Sequence, residues 1–312
     1  MLKFKSKDLL SIKDLSSEEI HALFDFTKRI KADQKKGKKY QPLKGKSLAM
    51  IFSKQSTRTR LSFETGIFQL GGNGIFLNAQ EMQLGRGETI PDTAKVLSRF
   101  VDGIMIRTFS HQDVEVLAQH ATVPVINGLT DFVHPCQILT DLFTAQEKGK
   151  KIDSNFHVIY VGDGNNIAHS WFSAAVRLGF RMTFIVPEKY NLSDSIFKFW
   201  GADRKRLPAN IAILHTVVDE VVSSADVLYT DVWVSMGQDA EREAKIAVLK
   251  PYQINGELIR KAKKDVLVMH CLPAHRGEEI SAEAMDGPHS VVFDEAENRL
   301  HVQKALMSVM MR

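Results

Sequence analysis

Apolar positions along the chain recur in two alternating rhythms. Residues 48–52 form an unbroken apolar run of strand length, and Leu61, Phe63, Ile67, Phe68 and Leu70 then return at helical spacing. Gly71-Gly72-Asn73-Gly74 breaks that helix, and residues 75–77 read as a second strand. The alternation continues with a helix over 91–100, a strand over 103–107, a helix over 111–120 and a strand over 123–127. Ahead of them, a helix is expected over 16–32. Ser16-Ser17-Glu18-Glu19 offers its cap and acidic first turn, and Ile20, Leu23, Phe24 and Phe26 its apolar side.

A long helix opens at His134 and runs to about Lys148. The polar stretch 147–155 predicts a hinge, after which strands are expected at 156–161, 182–186, 211–215, 227–230 and 266–269. Near the end, Leu300, Val302, Ala305, Leu306 and Val309 give residues 294–310 a mostly apolar helix face, expected to cross back to the first domain. Strands alternating with helices predict an α/β fold of two domains, each with a central, mostly parallel sheet flanked by helices. The expected boundaries are 1–148, with 294–312 packing back on it, and 149–293.

A length of 312 residues fits two domains. The net charge of +4 is small for that length; it admits an anionic small molecule and gives no reason to expect a nucleic acid. The basic residues between Lys28 and Lys39 stand where a helix gives way to a loop and read as a solvated face. Cys136 and Cys271 are the only cysteines and are far apart, which argues against a disulfide framework or a zinc site and fits a reducing compartment. No apolar stretch approaches the ~20 residues that span a bilayer, and the first residues lack the apolar core of a secretory signal. A soluble, cytoplasmic protein with no membrane partner is expected.

In open α/β sheets, ligands gather beyond the carboxyl ends of the strands. Polar residues stand there after six predicted strands: Ser56 to Arg60, Arg107, His134, Asn165-Asn166, Asp231, and His270-Cys271. The first is a hydroxyl-rich and arginine-rich turn leading into a helix, a natural seat for an anion because backbone N–H groups and the helix dipole point out of it. Ser56, Thr57 and Thr59 add hydroxyls, and Arg58 adds a planar fork that matches phosphate. An ordinary serine cap would leave the same trace, so the anion seat gains weight only from the other five. Arg60 and Glu64, one helical turn apart, are expected to pair with each other. Residues 161–167 begin like the dinucleotide-binding GxGxxG, but Ile167 stands where the third glycine belongs, so an oxidoreductase is a poor match.

Four segments together carry a resemblance. Ser56-Thr57-Arg58-Thr59-Arg60, His134-Pro135-Cys136-Gln137, Asp231-Val232-Trp233-Val234-Ser235-Met236-Gly237 and His270-Cys271-Leu272-Pro273 resemble, in order and spacing, the signatures of the aspartate/ornithine carbamoyltransferases. The last two resemble the ornithine branch, and the likeness spans essentially the whole chain. It implies transfer of the carbamoyl group of carbamoyl phosphate to the δ-amino group of L-ornithine, giving L-citrulline and phosphate in arginine biosynthesis. It also implies no cofactor, no catalytic metal, a carbamoyl-phosphate domain followed by an ornithine domain, and a homotrimer, stacked further in some members, with active sites at subunit interfaces.

By the same resemblance, carbamoyl phosphate is bound by Ser56, Thr57, Arg58, Thr59, Arg107, His134, Gln137, Cys271, Leu272 and Arg299, with Gln83 reaching in from a neighbouring subunit. Ornithine falls to Asn166, Asp231, Ser235 and Met236. Arg107, His134 and Cys271 form the implied catalytic set. Arg107 reaches phosphate and carbonyl oxygen, His134 donates to that oxygen, and Cys271 positions the reacting groups instead of forming a covalent bond. The alternative is a carbamoyltransferase for another amine, such as putrescine or acetylornithine; the intact Asp231 and Ser235-Met236-Gly237 favour free ornithine.

Overall fold

Two parallel sheets account for the alternation of strands and helices. The computed structural model describes residues 2–83, 87–234 and 242–312. The chain divides into two units, Met1–Thr140 with Glu297–Arg312, and Asp141–Ala296. In chain order the first unit holds α1 (Ser17–Lys35), β1 (Ser47–Phe52), α2 (Thr57–Gln69), β2 (Asn73–Asn78), α3 (Ile90–Leu97), β3 (Gly103–Arg107), α4 (His111–His120) and β4 (Val125–Leu129), followed by α5 (Pro135–Glu147), which runs on into the second. The strands pair in parallel in the order β2-β1-β3-β4. Leu48, Ala49, Met50 and Ile51 of β1 are completely buried, as a central parallel strand covered on both faces requires.

Local chemistry sets the ends of these elements. Ser16 and Glu19 form the reciprocal capping box of α1, with Glu19 N–H donating to Ser16 Oγ and Ser16 N–H to Glu19 Oε2. Strand β2 starts at Asn73, two residues before the expected 75–77, because Asn73 N–H already donates to Lys46 O (2.9 Å). Helix α3 stops at Leu97 and not at 100: Ser98 Oγ turns back to Ala94 O (2.7 Å) and also accepts from Thr122 N–H. The chain ahead of α1 covers the outer edge of β4, with Leu9 N–H donating to Val125 O and Leu9 O accepting from Asn127 N–H.

The second unit continues with β5 (His157–Val161), α6 (Asn166–Leu178), β6 (Arg181–Ile185), α7 (Asp194–Phe199), β7 (Ile211–Leu214), α8 (Asp219–Val222), β8 (Val227–Thr230), α9 (Arg242–Leu249), α10 (Gly256–Lys261), β9 (Leu267–His270) and α11 (Ala282–Asp286). Its strands are parallel in the order β7-β6-β5-β8-β9. Tyr160, Trp171, Phe184 and Tyr229 are fully buried around its centre, and Trp171 meets Tyr229 edge-on at 5.2 Å. In each sheet the strand order reverses beside the first strand, between β1 and β3 and between β5 and β8. Such reversals open a crevice at the carboxyl ends, where ligands bind in this class of sheet.

The last helix, α12 (Val292–Met310), starts in the second unit and belongs to the first from Glu297 onward. Beside the expected apolar face it buries Asn298, Arg299, His301, Gln303, Lys304 and Ser308. Three of them, Asn298, Arg299 and Lys304, bind it to α1 and α2. Lys31 Nζ donates to Asn298 Oδ1 (2.6 Å) and Lys304 Nζ to Gln69 Oε1 (2.8 Å). A Cβ on Gly66 of α2 would come within 2.8 Å of Met307 Cε, so the glycine permits the close approach. Lys31 is thus the exception in the basic run: Lys28, Arg29, Lys35, Lys36, Lys38 and Lys39 are exposed as expected, and Lys31 is buried. Among the described residues no helix is long and apolar enough to cross a membrane.

Candidate active site

The first unit gathers its chemistry at the β1–β3 crevice. Ser53 N–H donates to Arg107 O (2.8 Å), which ties the two strand ends together. Ser56, in an extended conformation, caps α2 by accepting from Thr59 N–H (3.2 Å). Thr57, Arg58 and Thr59 make the first turn of that helix, so its N-terminal N–H groups open at the end of β1. Behind this turn Arg60 Nε meets Glu64 Oε2 at 3.1 Å, as expected, and the Arg60 guanidinium also lies 3.9 Å from the centre of the Phe76 ring.

Arg299 joins stretches far apart in sequence. Its Nη2 donates to Thr59 Oγ1 (2.7 Å) and its Nη1 to Gln137 Oε1 (2.6 Å), all three residues being buried. A bulge in the β3–β4 ladder pairs Ile106 with Asn127 but Arg107 with Leu129, which re-aims the strand end carrying Arg107. The extra residue is Gly128, where a Cβ would stand 2.7 Å from Met105 Sδ. His134, just ahead of α5, is buried. Its imidazole is held well below the ordinary histidine range by burial, and then by the charges of Arg299 and Arg107. It is therefore a neutral ring able to donate one N–H. Cys136 is inert: burial pushes its thiol up to about 12, and its Sγ lies 3.4 Å from Asn127 O. Gln83 has an exposed side chain, with no side-chain hydrogen bond to this cluster among the described residues.

The second unit gathers its chemistry at the β5–β8 crevice. Asp231 follows β8 and is buried. It accepts from Asn165 Nδ2 (2.8 Å) and from Cys271 Sγ (3.0 Å), and among the described residues no cation pairs with it. The neighbouring carboxylate, Asp163, has its own partner in Lys245 Nζ (2.8 Å); burial still raises it to about 6. Burial, and then Asp231, push the Cys271 thiol well above its ordinary value, so it stays protonated and is no thiolate nucleophile. His270 is locked from both sides. Its Nδ1 accepts from Leu272 N–H (2.9 Å), which leaves the ring proton on Nε2, 3.1 Å from Glu279 Oε1. Leu272 takes a left-handed φ of 57°, rare for a leucine, and that bond to His270 accompanies it. Asp231, His270 and Cys271 offer ligand atoms within 4.8 Å of one another, but both His270 nitrogens are already engaged. Ser235 and Met236 lie outside the described residues.

The family model described as the aspartate/ornithine carbamoyltransferase carbamoyl-P binding domain matches residues 7–147, and the Asp/Orn binding domain of the same family matches 154–310. The chain belongs to the aspartate/ornithine carbamoyltransferase family. It is 54% identical to the ornithine carbamoyltransferase of Syntrophus aciditrophicus over 306 residues, covering 97% of this chain and 99% of that protein. It is 50% identical to the Thermococcus kodakarensis ornithine carbamoyltransferase over 311 residues, covering 100% and 98%. The solved ornithine carbamoyltransferase of Pyrococcus furiosus superposes with a TM-score of 0.90 at 50% identity, covering 97% of this chain and 96% of that one.

Within this carbamoyltransferase the structure brings Thr59, Gln137 and Arg299 into direct contact in one unit, and Asp231 with Cys271 in the other. Asn165 stands with Asn166 beyond a predicted strand, but the resemblance gives a role only to Asn166. Asn166 is the first residue of α6, and it is Asn165 whose amide caps that helix and reaches Asp231. The available signal was its place two residues before Ile167, where an N-cap is expected. In the same loop Asn165 is committed to Asp231 and to the cap, and Ile167 stands where a dinucleotide fingerprint needs its third glycine.

Proposed function

We propose that this chain transfers the carbamoyl group of carbamoyl phosphate to the δ-amino group of L-ornithine, giving L-citrulline and phosphate. The observation that carries this reading is Asp231. A buried carboxylate that receives only an amide and a thiol hydrogen bond is suited to an ammonium group, and it would repel the extra carboxylate of aspartate. In this reading residues 1–148 with 294–312 hold carbamoyl phosphate and residues 149–293 hold ornithine.

Ser56, Thr57, Arg58 and Thr59 hold the phosphate, with Arg107 reaching phosphate and carbonyl oxygen and Arg299 completing the cradle. Gln137 takes the carbamoyl nitrogen. The neutral His134 donates to the carbonyl oxygen as negative charge develops there; one such donor contributes about 10²–10³ in kcat. Asp231 and Ser235 engage the α-amino end of ornithine, and Asn166 with the backbone at Met236 orients its α-carboxylate. Cys271 and Leu272 position the reacting groups. The unprotonated δ-nitrogen attacks the carbonyl carbon, the carbon–oxygen bond to phosphate breaks, phosphate leaves with that electron pair, and the nitrogen loses a proton.

The same reading includes a homotrimer in which Gln83 serves the neighbouring subunit, and residence in the cytoplasm. An apolar surface supports the assembly: Leu61 and Phe68 of α2 and Phe76 of β2 are exposed, Phe68 by 76%. The two free cysteines suit a reducing compartment. Similarity to the anabolic enzyme of Pyrococcus furiosus, 50% identical, supports a place in arginine biosynthesis. The purified protein offered ornithine, acetylornithine, putrescine and aspartate in turn should make citrulline and no carbamoylaspartate. Preference for any of the other three amines overturns the assignment.

A further inference from the structure

A second cluster in the same unit has no part in that reaction. His275, Glu278 and Glu279 follow β9 in a tight turn, in which Glu278 N–H donates to His275 O (3.0 Å) and Gly277 N–H to Ile280 O (2.8 Å). One ligating atom from each of the three side chains lies within 4.8 Å of the other two. Glu279 is completely buried, and its two oxygens differ. Oε1 accepts from His270 Nε2 (3.1 Å) and from His275 N–H (2.6 Å). Oε2 is buried and, among the described residues, accepts no hydrogen bond. It faces His275 Nδ1 at 3.7 Å, beyond hydrogen-bond reach.

Glu278 repeats the pattern. Its Oε1 pairs with Arg242, while its Oε2 is buried and, among the described residues, has no donor. The charges do not balance. Arg242 is the one permanently charged cation in these contacts, and among the described residues it reaches Glu278 and not Glu279. Buried anionic oxygens left without donors are costly, and a cation between them removes that cost.

We infer that His275 Nδ1 and the Oε2 atoms of Glu278 and Glu279 form a binding site for a zinc-class divalent metal ion. One imidazole nitrogen with two carboxylate oxygens suits Zn²⁺ or Co²⁺, whereas Ca²⁺ and Mg²⁺ favour oxygen alone. The His275 side chain is 43% exposed, so the ion enters from solvent and water completes its shell. The second carboxylate oxygen of Glu279, held by His270 and the His275 N–H, orients that ligand as metal sites commonly do.

Co²⁺ titration of tag-free Cys271→Ser protein, followed by visible absorption, tests this apart from any cobalt held by the cysteine. One equivalent should bind with the spectrum of nitrogen and oxygen ligands. Adding His275→Ala to that background should weaken binding about tenfold or more, as should adding Glu278→Gln, with circular dichroism confirming the fold. His275 is exposed, so its variant decides the matter even where Glu278→Gln does not fold. Absence of cobalt binding in Cys271→Ser, or undiminished binding after His275→Ala, overturns the proposal.

Discussion

Asn165 does two jobs with one amide. Its Oδ1 accepts from Ile167 N–H (2.9 Å) and Ala168 N–H (3.3 Å) to cap α6, and its Nδ2 donates to Asp231 (2.8 Å). Asn165→Ser keeps an oxygen for the cap and loses the donor to the carboxylate. It should raise the KM for ornithine about tenfold, the effect of one hydrogen bond to a charged group, and leave the KM for carbamoyl phosphate unchanged. Asn165→Ala should add a stability loss of about 1 kcal/mol from the missing cap. Steady-state kinetics beside thermal melts separate the two effects, and an unchanged ornithine KM in Asn165→Ser would remove Asn165 from substrate binding. At this scale the sequence shows residue types and not partners. Arg60–Glu64 could be foreseen because the helix itself brings them together. Thr59 and Arg299 stand 240 positions apart, so only the folded chain shows their contact. Glu279, which holds His270, has no local pattern that announces it.

The elements were legible wherever one local rule governs them. Strand β1 is an unbroken apolar run because both its faces are covered, and α1 begins at Ser16 because Glu19 completes its box. The rule fails where a distant partner decides, as with the end of α3 at Ser98 and the buried polar side of α12. His157, at the start of β5, belongs to the second kind. Its ring bridges Thr183 Oγ1 of β6 and Ser224 Oγ in the turn before β8, each at 2.9 Å. Burial, and then Arg181, lower its pKa from 6.5 to about 4 in the folded protein. Between those values the unfolded chain takes up a proton that the folded one refuses. The contribution of His157 is therefore complete above pH 6.5 and is lost as pH falls toward 4. Asp163, raised to about 6, works in the opposite sense from its ordinary 3.8 upward, so the difference between two proteins is the informative measure. His157→Gln should lose less stability than the parent from about pH 7 to about pH 5 in chemical denaturation, a range that overlaps the fall from 6.5 toward 4 over which His157 acts. Equal losses would show that this histidine does not set acid sensitivity.

For the whole molecule, the open question is how many chains complete one active site. Two facts bear on it together: Gln83 is exposed with no side-chain bond to the cluster of its own chain among the described residues, and an apolar surface on α2 and β2 lies uncovered. Scattered exposed apolar residues need no explanation, but Leu61 and Phe68 stand seven apart on one helix, and Phe76 of the edge strand lies on the same side, its ring against Arg60 of that helix. If that surface joins subunits in a closed ring, each Gln83 can serve the chain beside it while each Arg58 serves its own. Arg58→Ala and Gln83→Ala chains should then each be nearly inactive alone. After exchange in equal amounts, about one site in four should receive an intact Arg58 from one chain and an intact Gln83 from the next. Activity should rise toward about a quarter of the parent per site, in step with the hybrids counted by native mass spectrometry. A site made within one chain gives no such recovery, because every chain in the mixture then carries a defect in its own site. Hybrids formed in full without a gain in activity would therefore place Gln83 outside the neighbour's site, whatever the oligomer's size.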